Sequence, residues 1–147
     1  MRAGVNDRGV DGEVNPIGPY VAFVDDESMH CRLAQAVLAN AGYRPLLGAD
    51  GTDAIALRFG DPEPAAMFLN GLMPMPGPDA IAEIRRREAA EGLPRMPIAL
   101  ESGWAPGGVG RALRRRYVRI PWNRDELIEA LEGLLALRRD KPDESAK

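Results

Sequence analysis

The segment Tyr20-Val21-Ala22-Phe23-Val24-Asp25-Asp26-Glu27 passes from an unbroken apolar run straight into three acidic side chains. A strand with one wet face alternates polar and apolar residues, so an unbroken run fits a strand covered on both faces, as in a parallel sheet. Adjacent carboxylates at the end of such a strand repel each other. A hard divalent cation such as Mg²⁺, which prefers oxygen ligands, is the usual remedy. The alternative is that Asp25 and Asp26 cap the next helix, whose dipole favours anions at that end.

The pattern repeats outward from this segment. Residues 28–41 carry Met29, Leu33, Ala36, Val37 and Ala41 mostly at three- and four-residue steps, which predicts a helix with those side chains inward and Gly42 ending it. Residues 43–47 form a weak strand, and Pro45, which has no N–H for a ladder, assigns it to a sheet edge. A helix over 50–59 buries Ala54, Ile55 and Leu57 and is broken by Asp61-Pro62-Glu63-Pro64. The apolar run 65–69 is a third strand, followed by the Pro-rich turn from Asn70 to Pro78. A third helix starts at Pro78 or Asp79 and runs to about 90, with Ile81, Ile84 and Arg85-Arg86-Arg87. Residues 97–100 form a strand ending at Glu101-Ser102-Gly103, and a glycine-flanked helix over 109–115 leads to a strand at 117–120 closed by Pro121. Asn123 and Glu126 have the spacing of a capping box, before an inward stripe of Leu127, Ile128, Leu131, Leu134 and Leu135.

Five strand–helix units of this kind make a mostly parallel sheet. All turns after its strands lie on one edge, where ligands of open parallel sheets bind. That brings together Asp25, Asp26, Asn70, Ser102 and the pair Ile120 and Pro121.

At 147 residues the chain has room for one domain, assigned to 19–138, with tails at 1–18 and 139–147. The composition, 45% hydrophobic and 28% charged, is that of a soluble globular protein, and the net charge of −3 argues against binding nucleic acid. The lone Cys31 fits a reducing compartment and reads as helix filler. With neither a signal peptide nor a run of roughly 18 apolar residues, the expected location is the cytoplasm, away from membranes. His30 has no metal-site spacing and reads as structural; Met67 reads as core, and Met73 and Met75 as loop packing.

This arrangement resembles the receiver domain of bacterial two-component response regulators over about 19–137. The matching segments are Val21-Ala22-Phe23-Val24-Asp25-Asp26-Glu27 for the strand ending in an acidic pair, Met73-Pro74 for the Met-Pro turn, Ser102-Gly103, and Pro121. The resemblance implies a single-domain, flavodoxin-like (βα)5 α/β fold, a doubly wound parallel sheet in strand order 2-1-3-4-5. It also implies that Asp25 and Asp26 organise Mg²⁺, that Ser102 supplies a hydroxyl contact and that Tyr117 is the aromatic switch residue. The nucleophilic aspartate of the family, three residues before the Met of the turn, falls on Asn70, and the neutralising lysine falls on Ile120.

An amide is neutral with a delocalised lone pair, so Asn70 is a pseudo-phosphoacceptor unable to take a phosphoryl group, and Ile120 stabilises no developing charge. Arg119 is no substitute, since successive strand side chains point to opposite faces. The pocket left is acidic, with Asp25, Asp26 and Glu101 as a candidate third acid. Either Mg²⁺ binds weakly with the Asn70 carbonyl as a neutral ligand, or no metal binds and a carboxylate is protonated or solvated.

The expected function is that of a stand-alone degenerate receiver in phosphorelay-type signalling, not an enzyme, acting by protein–protein contact with a histidine kinase or another regulator. One alternative is phosphorylation after Asn70 deamidates, since Gly71 leaves its own nitrogen free to attack the amide. Another is a small Mg²⁺-dependent phosphohydrolase, disfavoured because Glu27 stands where such enzymes place a second Asp. The docking or homodimer face is expected on the fourth helix, fifth strand and last helix, around Arg115, Arg119 and Trp122 with Arg111, Arg114, Arg116 and Arg124. Its plain alternative is a solvated surface balanced by Asp125, Glu126 and Glu129. Glycines around 103–110 predict a short or displaced fourth helix, with Trp104 over the pocket mouth or packed on that segment.

Overall fold

The computed structural model describes residues 17–102, 117–119 and 122–139. The expectations for residues 1–16 and 140–147, the helix over 109–115, Trp104, Arg111, Arg114, Arg115, Arg116, Ile120 and Pro121 therefore lie outside the described residues. In chain order the elements are β1 (Tyr20–Val24), α1 (Ser28–Asn40), β2 (Arg44–Gly48), α2 (Gly51–Arg58), β3 (Ala66–Asn70), α3 (Gly77–Glu91), β4 (Ile98–Ser102), β5 (Tyr117–Arg119) and α4 (Arg124–Arg139).

The strands form one parallel sheet in the order β2-β1-β3-β4-β5. The Pro45 strand lies at the edge, where a missing donor costs no ladder bond. Alternation divides the core into two layers. Val21, Phe23, Ala66, Phe68 and Ala99 face α1 and α4, meeting Ala34, Val37, Leu38, Leu127, Leu131 and Leu134. Ala22, Val24, Met67, Leu69 and Ile98 face α2 and α3, meeting Ala54, Ala80 and Ile84. Covering on both faces is why β1 and β3 read as continuous apolar runs.

Two helix starts follow from local chemistry. Asp50 Oδ1 accepts the Asp53 N–H at 2.9 Å while Asp53 Oδ2 accepts the Ala49 N–H at 2.8 Å. Asn123 and Glu126 make the reciprocal pair expected of a capping box, with Glu126 N donating to Asn123 Oδ1 at 2.8 Å and Asn123 N to Glu126 Oε1 at 2.9 Å. Each pair satisfies two backbone donors that the helix itself leaves free.

Two expectations need correction. The inward face of α1 is Ala34, Val37 and Leu38, whereas Met29 and Leu33 are 68% and 52% exposed and Ala36 is exposed as well. The helix carries two apolar stripes, and the one that packs on the sheet is Ala34, Val37 and Leu38 with Cys31 beside them. Second, β4 extends through Glu101 and Ser102 instead of stopping at Leu100. A glutamate read as a turn residue is thus a central-strand residue, paired with Asn70 in β3 and Val118 in β5.

The turn after β3 is folded tightly over the sheet edge. Gly77 N donates to Gly71 O at 3.2 Å, and a Cβ on Gly77 would sit 2.7 Å from Asn70 O, so only glycine fits there. No helix among the described residues is long and apolar enough to cross a membrane.

Candidate functional site at the carboxyl ends of the strands

Register and alternation together build the site. Val24 pairs with Leu69, so the next residues, Asp25 and Asn70, are neighbours, and Asn70 pairs with Glu101. Phe23, Phe68 and Ala99 face α1 and α4. With a period of two, Asp25, Asn70 and Glu101 follow on that same face. All three are buried, with Asp25 and Glu101 each 1% exposed.

Asp25 does not cap α1: its Oδ1 accepts the Glu27 N–H at 2.9 Å, and Glu27, the residue at the cap position, makes no side-chain cap bond. Its Oδ2 lies 3.0 Å from His30 Nδ1, in the first turn of α1. The Cys31 thiol donates to the Asp25 carbonyl oxygen at 3.2 Å. His30 is therefore part of the site, which the sequence reading missed. The signal was its distance of five residues from Asp25, one turn into the helix, where a side chain folds back over the strand end.

Asn70 is held in one orientation. Its Oδ1 accepts the Leu72 N–H at 2.6 Å, and its amide donates toward Asp25. The side-chain carbonyl thus serves the turn, an arrangement common for Asn in loops, and is not offered as a metal ligand.

Glu101 has the most unusual surroundings. The Trp122 indole N–H donates to Glu101 Oε2, while Oε1 receives no hydrogen bond among the described residues. Trp122 packs edge-on against Phe23, with ring centroids 5.9 Å apart. Trp122, expected on the docking face, is half-buried, with its ring against Phe23 and its N–H on Glu101. Arg119 and Ser102 occupy register positions in β5 and β4, paired with each other, and Tyr117 pairs with Leu100. Glu101, not Ser102, is the β4 residue level with Asn70.

The ionisation of the two acids follows from these contacts. Burial pushes the Glu101 carboxyl up to about 8, with Asp25 adding to the rise and the Trp122 bond opposing it. For Asp25, burial alone would raise the value, but hydrogen bonds from Glu101, the Glu27 N–H, Asn70 and His30 bring it below the ordinary aspartate value. At neutral pH the pair therefore holds one proton, carried by Glu101 and directed at a charged Asp25. Burial, together with these carboxylates and Asp26, raises the Cys31 thiol, which stays protonated and donates.

Asp26 is exposed. It lines a cavity of about 380 Å³ together with Asp25 and Cys31 of the site and with Ser28, Arg32, Leu47, Gly48, Ala49 and Asp53. The residues present do not fit an all-oxygen Mg²⁺ site. The Asn70 oxygen is bonded to Leu72, and the third donor near Asp25 is an imidazole nitrogen.

No family model matches the sequence, and no curated protein matches it. Solved structures do match the fold. The chemotaxis protein CheY4 of Vibrio cholerae is 22% identical with a TM-score of 0.67, over 81% of this chain and 100% of that one. A CheY-like receiver domain protein from Methanospirillum hungatei is 25% identical with a TM-score of 0.62, over 82% and 96% of the two chains. A response regulator receiver domain protein from Clostridium thermocellum is 16% identical with a TM-score of 0.67, over 83% and 98%. The chain has the flavodoxin-like fold of response-regulator receiver domains.

Proposed function

We propose that the protein is a receiver-type signalling module that acts by binding a partner protein and does not carry a phosphoryl group on residue 70. One observation carries this reading. Level with the acid at the end of β1 stands a neutral amide, with its oxygen bonded to the Leu72 N–H at 2.6 Å and its nitrogen turned toward Asp25. Phosphoryl capture needs an anionic oxygen free to attack phosphorus, and this group has neither the charge nor the freedom.

The reading is that of a module without catalysis of its own. Its partner is a histidine kinase or another regulator, or a second copy docked through the region of β5 and α4, with Ser102 and Tyr117 as the remaining parts of the switch. Activation by deamidation is opposed by geometry: Gly71 N, the atom that would have to attack the Asn70 amide, donates to Glu101 O at 3.1 Å.

The test is incubation of freshly prepared full-length protein with acetyl phosphate and Mg²⁺, read by intact mass and peptide mapping. The expected result is no adduct in fresh or aged protein and no turnover of a generic phosphatase substrate. A phosphoryl adduct at residue 70 in fresh protein overturns the reading, an adduct confined to aged protein establishes the deamidated form, and turnover makes the protein an enzyme. Pull-down with wild type and Tyr117→Ala then tests the switch, with loss of the partner expected in the variant.

A further inference from the structure

We propose that Asp25, His30 and Glu101 form a binding site for a divalent transition-metal ion of the Zn²⁺ class, distinct in its donors from an all-oxygen Mg²⁺ site. One oxygen from each carboxylate and one His30 nitrogen lie within 4.8 Å of one another. In a tetrahedral Zn²⁺ site with bonds of about 2.1 Å, ligand atoms stand about 3.4 Å apart. His30 Nδ1 and Asp25 Oδ2, at 3.0 Å, are already close to that spacing.

The independent observation is the state of Glu101. Its side chain is 1% exposed, and its buried Oε1 receives no hydrogen bond among the described residues, with only the Asp25 carboxylate opposite it. A buried carboxylate oxygen left unbonded is costly, and such groups in folded proteins usually have a proton, an ion or a donor opposite them. Here the opposite group is a second carboxylate, so a cation is the missing element. Without the ion, the Glu101 proton fills the place. On binding, the Glu101 O–H bond breaks and its proton leaves to solvent, the His30 ring proton passes by way of solvent from Nδ1 to Nε2 so that the Nδ1 lone pair is free, and metal–oxygen and metal–nitrogen bonds form.

The donor set selects the metal. Imidazole nitrogen suits Zn²⁺ and its neighbours in the first transition row, whereas Mg²⁺ prefers oxygen ligands in near-ideal octahedral geometry. The His30 side chain is 38% exposed while Asp25 is enclosed, which gives an ion a route in from the α1 side. Trp122, through its bond to Glu101 Oε2, fixes the carboxylate orientation as outer hydrogen bonds do in metal sites.

Calorimetric titration of the full chain, first stripped with chelator, with ZnCl₂ and separately with MgCl₂ tests the site. His30→Gln and Glu101→Gln serve as variants, with far-ultraviolet circular dichroism confirming their folding. One Zn²⁺ per chain is expected, with affinity reduced at least tenfold in each variant and Mg²⁺ failing to compete at hundredfold excess. Co²⁺ is expected to give visible absorption bands that disappear in His30→Gln. Absence of Zn²⁺ binding, binding unchanged in both variants, or displacement by Mg²⁺ at that excess overturns the site. Should either variant fail to fold, the wild-type Co²⁺ spectrum decides: no ligand-field bands, and the site is refuted. These outcomes are independent of whether residue 70 takes a phosphoryl group.

Discussion

Glu88 and Glu101 are the same residue type, each 1% exposed, at opposite ends of the sheet, and their surroundings give them opposite charge states. Glu88, on α3, accepts from Arg58 Nε at 2.7 Å, Met96 N at 3.0 Å and Arg85 Nη1 at 2.8 Å. Burial by itself would raise its carboxyl, but the Met96 N–H and the two guanidiniums bring it below the ordinary glutamate value. Arg58, itself 3% exposed, also reaches Glu63 Oε2 at 3.0 Å and the Pro94 carbonyl at 2.9 Å. Glu101 faces an acid where Glu88 faces two bases, and it keeps its proton up to about 8. Depth of burial therefore does not determine charge; the partner does. The Glu88 end is a closed network that holds α2, α3 and the lead into β4 together. At the Glu101 end two acids face each other, and Glu101 keeps the proton.

The largest effect expected from breaking this contrast is at the closed end. Arg58→Met leaves Glu88 buried without its shortest ion pair and should lower unfolding stability by about 3–5 kcal/mol, measured by urea titration at pH 7. A loss under about 1 kcal/mol would show that Arg85 and Met96 alone suffice for Glu88. Next is Asn70→Asp, which removes an amide donor to Asp25 and adds a third carboxylate between two others. It should cost about 2 kcal/mol by the same measurement, and a stabilised variant would contradict the one-proton account of the pocket.

The pH dependence of stability, measured with chelator present, separates the two glutamates by sign. Glu88 has a folded value below its unfolded 4.5, so its contribution is complete above pH 4.5 and is lost as pH falls through the folded value. Glu101 has a folded value raised from 4.5 to about 8, so its contribution is complete below pH 4.5 and is lost as pH rises toward 8. Glu101→Gln, which keeps the shape and cannot ionise, should remove the fall on the neutral side and leave the acid side intact. A neutral-side fall persisting in that variant would assign it to another group. The smallest effect is expected at the exposed Arg86 and Glu83 pair, where Arg86→Ala should leave the urea midpoint unchanged within error.

Much of the frame was legible in the residues. Unbroken runs such as Val21 to Val24 signalled strands buried on both faces, Pro45 marked the edge strand, and Asn123 with Glu126 marked the start of α4. The site was legible in part. Asp25 and Asn70 follow strands plainly bounded by apolar runs, so their meeting at one sheet edge could be inferred. Glu101 was harder, because a charged residue after an apolar run reads as the end of a strand. His30 and Trp122 gave no signal by spacing, since α1 and the segment before α4 bring them to Asp25 and Glu101 from separate parts of the chain. The Arg58 and Glu88 pair was invisible for a similar reason: thirty residues separate them, and a charged residue on a helix reads as solvated until its partner is seen.

The amino-acid order alone determined the succession of strands and helices and the presence of a neutral amide at residue 70, because both depend on local periodicity and on residue chemistry. Only the tertiary structure decided which of the acids keeps its proton. That outcome depends on water being excluded and on which side chains from distant segments arrive opposite each carboxylate, neither of which is a property of neighbouring residues along the chain.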